Sequence, residues 1–104
     1  MYMVHNKHEV FQLIQNNKQA IQKLGAERIG LFGSFVREEQ TEKSDVDLVV
    51  EFKPGMKKYR NLLNLLDLLE ETLQRKVDLL TWEGIALFVQ REIKKEIEYV
   101  SFID

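Results

Sequence analysis

Asp45-Val46-Asp47-Leu48-Val49-Val50-Glu51-Phe52 carries more structural information than any other segment of the chain. Its β-branched and apolar residues read as a strand. Strand side chains alternate faces, so Asp45 and Asp47 project together, and Glu51 projects to the same side. Two carboxylates held side by side repel unless a cation or a proton sits between them. A hard divalent cation neutralises such a pair, and magnesium characteristically takes one or two carboxylates together with substrate phosphates.

Working outward, residues 28–32 form a short strand that ends at Gly33, and residues 34–39 read as one or two helical turns followed by a polar loop over 40–44. Pro54-Gly55 is the strongest break in the chain. Beyond it lie a leucine-rich helix over 61–74, a strand over 76–80 containing Asp78, and a last helix over 82–98 that Thr81 is placed to cap. Upstream, Val10, Leu13, Ile14, Ile21 and Leu24 share one helical stripe within residues 5–24, and Gly25 is a natural stop. The resulting order, α-β-α-β-α-β-α, predicts an α/β (α+β) domain: a small mixed sheet flanked by helices, with residues 1–104 as a single unit.

Composition narrows the functions open to this chain. Fifteen basic against 17 acidic residues give a formal net charge of -2, which leaves no electrostatic footprint for direct nucleic-acid binding. The absence of cysteine removes disulfides, thiolate metal sites and cysteine nucleophiles, and fits a reducing cytoplasm. No apolar run reaches membrane-spanning length, and Met1-Tyr2-Met3-Val4-His5 lacks the apolar core of a signal peptide. On the leucine-rich helix, Leu62, Leu65, Leu66, Leu69 and Leu73 form one face, flanked by Leu63 and Leu68. Such a face suits either the domain's own core or an interface with another subunit or partner.

The candidate site combines three strand ends. Gly33 lets backbone approach a ligand closely, and Ser34 can offer hydroxyl and amide to a phosphate at a helix N-terminus. Asp45 and Asp47 lie on the neighbouring strand, and Asp78 on the third can add a carboxylate to the same face. Three carboxylates can hold two divalent ions that orient a triphosphate and stabilise departing pyrophosphate, with Asp78 a shared ligand or the base for an attacking hydroxyl. Arg37, one turn beyond Ser34, can reach a phosphate oxygen. Each element has an ordinary reading: Gly-Ser as a turn, Asp-x-Asp as a solvated strand face, Glu51 as a structural or exposed residue, and His5 and His8 as exposed. Their combination at one cleft is what points to chemistry.

Leu31-Phe32-Gly33-Ser34-Phe35-Val36-Arg37, Ser44-Asp45-Val46-Asp47-Leu48 and Lys76-Val77-Asp78-Leu79-Leu80 together resemble the minimal nucleotidyltransferases of the DNA polymerase beta superfamily, from about Gly25 onward. The resemblance implies a polymerase beta-like nucleotidyltransferase core, ATP as donor, and two magnesium ions held by Asp45, Asp47 and Asp78. It also implies an antitoxin role, in which AMP passes to a tyrosine hydroxyl of a helical HEPN toxin. The alternative is a noncatalytic nucleotide-binding or toxin-sequestering module of the same fold. One residue departs from the pattern: Glu38 stands where the family commonly has glycine. It either adds negative charge beside the phosphates or points to solvent.

Overall fold

The computed structural model describes residues 3–102. Two helices, α1 (Lys7–Asn16) and α2 (Lys18–Lys23), precede β1 (Ala26–Phe32) and a single 3-10 turn (Gly33–Phe35). After a loop come β2 (Val46–Phe52), α3 (Tyr59–Leu73), β3 (Val77–Leu80), a second 3-10 turn (Trp82–Gly84), α4 (Leu87–Glu96) and β4 (Glu98–Tyr99). The strands make one mixed sheet in the order β3-β2-β1-β4. β1 runs antiparallel to both β2 and β4, whereas β2 and β3 are parallel, with α3 as the crossover that parallel neighbours require.

Two expected helices differ. The helix over 5–24 breaks at Asn17, whose side-chain amide donates to the Leu13 carbonyl at 2.8 Å and so competes with the helical ladder. The helix over 82–98 is two pieces: the 3-10 turn stops at Gly84, Ile85 is extended, and the Gln90 amide donates to the Trp82 and Ile85 carbonyls across the gap. Thr81 makes no side-chain cap there. Glu98, assigned to the end of that helix, instead opens β4, a strand too short to show any periodicity.

Strand pairing sorts the sheet into two faces, because residues directly opposite one another point the same way. Ile29 opposite Val50 and Leu31 opposite Leu48 face the helices, and these four join Val10, Ile14, Ile21, Leu65, Leu69 and Leu73 in the main core. Burial of each such side chain contributes roughly 1.5–3 kcal/mol. The leucine-rich helix spends its stripe here: Leu65, Leu69 and Leu73 are fully buried, Leu62, Leu66 and Leu68 pack against the cluster, and Leu63 is the leucine of that helix left exposed.

Candidate active site

The opposite face carries the chemistry. Across it, Asp78, Asp47 and Phe32 form one row, and Leu80, Val49, Gly30 and Tyr99 the next, with Glu51 beside Arg28 beyond them. Parallel pairing of β2 with β3 therefore places Asp78 directly beside Asp47, which residues 31 positions apart achieve only through the α3 crossover. Gly33 follows Phe32 with φ +76°, in the left-handed region, and a Cβ there would overlap the Asp47 carboxylate. Glycine is thus required twice at this position, for backbone angle and for closeness to Asp47.

Asp47 is half-buried, and its carboxyl is pushed up to about 6. Burial is the main cause; the Asp78 carboxylate adds repulsion and shares a hydrogen bond with Asp47, Asp45 adds further repulsion, and the Arg37 guanidinium opposes the rise. Asp45 immediately precedes β2 and is also half-buried, while Asp78 is exposed. Carboxylates crowded on one sheet face are a donor set that a hard cation would neutralise, so the donor chemistry fits magnesium. The expected three-carboxylate cage is nevertheless not preassembled: among the described residues no three acidic or imidazole side chains gather as a metal-binding group. A magnesium ion bound through one or two carboxylates draws its other ligands from substrate and water.

Four sequence expectations are refined. Ser34 lies in a single 3-10 turn rather than at the start of a helix, so no helix dipole is available to a phosphate there. Arg37 donates from Nε to Glu39 at 2.8 Å and from Nη1 to both carboxylate oxygens of Glu96 at 2.9 and 3.1 Å. Glu38 is exposed with φ +60°, a conformation favoured by glycine, and its charge acts on Lys7 of α1. Glu51 is structural: it accepts from Arg28 at 3.0 Å, from the Trp82 indole at 2.9 Å and from Tyr99 at 3.4 Å. Arg28 also stacks on the Tyr99 ring at 3.8 Å. These residues line an open cleft of about 440 Å³ on the same face as Asp47, together with Lys57 and Lys94.

Two supporting residues are not marked as site residues by the sequence. Arg75 is buried, donates from Nε to the Val4 carbonyl at 2.7 Å and from Nη1 to the Thr41, Glu42 and Ser44 carbonyls, and lies over the Phe35 ring. One guanidinium thereby ties the loop before Asp45 to Phe35 of the 3-10 turn and to Val4. Glu96, the last residue of α4, accepts the Gly33 amide at 2.6 Å as well as Arg37. Both depend on contacts 31 to 71 residues apart in sequence, which no local pattern encodes.

Comparison with known proteins agrees with this arrangement. The nucleotidyltransferase domain family matches residues 13–100. A candidate protein adenylyltransferase of Methanocaldococcus jannaschii is 36% identical over 95 residues, covering 88% of this chain and 95% of that protein. The protein adenylyltransferase MntA of Thermococcus cleftensis is 33% identical over 90 residues, covering 85% of this chain and 88% of that one. A solved structure described as a candidate minimal nucleotidyltransferase superposes with a TM-score of 0.70 at 28% identity, covering 85% of this chain and 93% of that one. The fold is also that of the complex of a tri-AMPylated Shewanella oneidensis HEPN toxin with its MNT antitoxin, at TM-score 0.61 and 18% identity, covering 89% of this chain and 73% of that one. With its mixed sheet, flanking helices and Gly33-Ser34 turn set against Asp47, the chain belongs to the nucleotidyltransferase domain family and is a minimal nucleotidyltransferase of the polymerase beta-like fold.

Proposed function

We propose that this chain, as a single domain over residues 1–104, transfers AMP from ATP to a hydroxyl group in the cytoplasm, and that the acceptor is a tyrosine of a HEPN-type toxin which it neutralises as an antitoxin. The observation that carries the reading is the Asp47–Asp78 pair: two carboxylates side by side on paired strands, with Asp47 pressed against a glycine turn, in a family that performs nucleotidyl transfer. Relatives named as protein adenylyltransferases support the reaction, and the likeness in fold to an antitoxin bound to its AMPylated toxin supports the acceptor.

Asp45, Asp47 and Asp78 would hold magnesium, two ions in the full assembly, with triphosphate oxygens completing the coordination. Bound there, the metal supplies positive charge to the phosphates and to the departing pyrophosphate. Gly33 and Ser34 leave room for the triphosphate against the end of β1. Arg37 faces the charge that develops on the transferring phosphoryl group. The acceptor oxygen attacks the α-phosphorus, its proton passes to the exposed Asp78 carboxylate, and the bond to the bridging oxygen breaks to release pyrophosphate.

Co-expression with a HEPN-type toxin tests this directly. The toxin purified after exposure to the wild-type chain is expected to carry AMP on tyrosine, and the folded Asp45→Asn/Asp47→Asn variant is expected not to protect cells. Full protection by that variant, with unmodified toxin in the mass spectrum, would sink catalysis and leave sequestration.

A further inference from the structure

Glu96 sits where helix, strand and phosphate turn meet. In the β1–β4 ladder Gly30 pairs with Tyr99 and Leu31 with Glu98, so continuing the same register brings Gly33 opposite Glu96. The backbone ladder cannot continue, because Glu96 already belongs to α4. Its side chain completes the pairing instead, accepting the Gly33 amide at 2.6 Å. The junction is seated on Gly30, where a Cβ would overlap the Ile97 side chain. The same carboxylate grips Arg37 Nη1 through both oxygens, while Glu39 takes Nε. A guanidinium held on these two atoms keeps its remaining amino group, Nη2, and has a fixed plane.

We infer that Glu96 is a positioning residue for nucleotide binding: one carboxylate fixes the Gly33 amide and the Arg37 guanidinium relative to each other, so that turn and cation meet the triphosphate already aligned. This rests on the nucleotidyl-transfer reading above. A charge-assisted bond from a partly buried carboxylate is among the stronger hydrogen bonds, and pre-ordering a rotamer-rich arginine lowers the entropy lost when phosphate binds. Glu96→Gln is the informative variant, since its amide oxygen can still accept from Gly33 and preserve the fold while the charge that holds Arg37 is gone.

The test is a double-mutant cycle in the full chain, read by calorimetry with magnesium and a non-hydrolysable ATP analogue. Glu96→Gln and Arg37→Gln are each expected to weaken binding by about tenfold, and the double variant is expected to be no worse than the poorer single, because one effect acts through the other. The Gly33 amide resonance should move in Glu96→Gln and stay in place in Arg37→Gln. Glu96→Asp, one methylene too short to span both partners, should also weaken binding and serves in the cycle if Glu96→Gln does not fold. Additive losses would overturn the inference. So would tighter binding by Glu96→Gln, which would make the carboxylate a competitor for phosphate. A wild-type chain that binds no nucleotide would overturn the transfer reading and this inference together, whereas an additive cycle on a binding-competent wild type overturns this inference alone.

Discussion

Asp47 and Glu51 stand four residues apart on one strand and one face, yet their environments are opposite. Glu51 is pushed up by burial, but the bonds from Trp82, Arg28 and Tyr99 outweigh it and hold the carboxyl below the usual glutamate range. Asp47 has burial and two neighbouring carboxylates with only Arg37 in opposition, and ends well above the usual aspartate range. A carboxylate surrounded by donors is finished and contributes to stability. One surrounded by carboxylates awaits a cation, and perturbation of that kind clusters where chemistry occurs.

The largest effect expected from this contrast is on turnover. Asp47→Asn should remove nucleotidyl transfer by at least about 10³-fold while the protein stays folded, and the corresponding Glu51→Gln change should cost far less activity. A radiolabelled AMP-transfer assay decides it, and equal losses at both positions would erase the distinction. Asp78→Asn is expected to lower turnover by about 10²- to 10⁴-fold, the usual worth of general-base help, with a smaller change in nucleotide affinity. Equal loss of both would make Asp78 chiefly a metal ligand.

Stability against pH should separate the two residues by sign. The folded state binds the Asp47 proton more tightly than the unfolded chain does, so this group's contribution is present below about pH 4 and is lost as pH rises towards 6. Glu51 runs the other way: its contribution is present above the unfolded glutamate pKa and disappears as pH falls through the depressed folded value. At neutral pH, Asp47→Asn should therefore stabilise the metal-free protein by about 1 kcal/mol after allowance for solvent screening, and Glu51→Gln should destabilise it. Magnesium should raise the melting temperature of wild type and leave Asp47→Asn unmoved. Denaturant melts at pH 4 and pH 7, with and without magnesium, check all three.

The smallest expected effect tests a residue outside the contrast. Glu38 occupies a left-handed backbone conformation and is exposed. Glu38→Gly should raise stability by about 0.5–1 kcal/mol, the relief of strain less the entropy a glycine adds to the unfolded chain, without altering nucleotide affinity. Tighter nucleotide binding at low salt would instead place its charge at the phosphates.

The chain's local patterns determined the strands that carry Gly33, Asp47 and Asp78, the stop at Gly25, the leucine-rich crossover helix and the family. Period-two alternation, turn residues and a helical stripe are short-range signals, and each is written within about 15 consecutive residues. Tertiary structure alone decided the rest. It set β4 at the edge of β1, split the last helix, buried the leucine face in the domain's own core, made Glu51 a structural acceptor, and brought Glu96 onto Gly33 and Arg37. These outcomes depend on which distant groups satisfy a backbone amide or a guanidinium once the sheet has closed. A linear sequence records the groups but not their meeting.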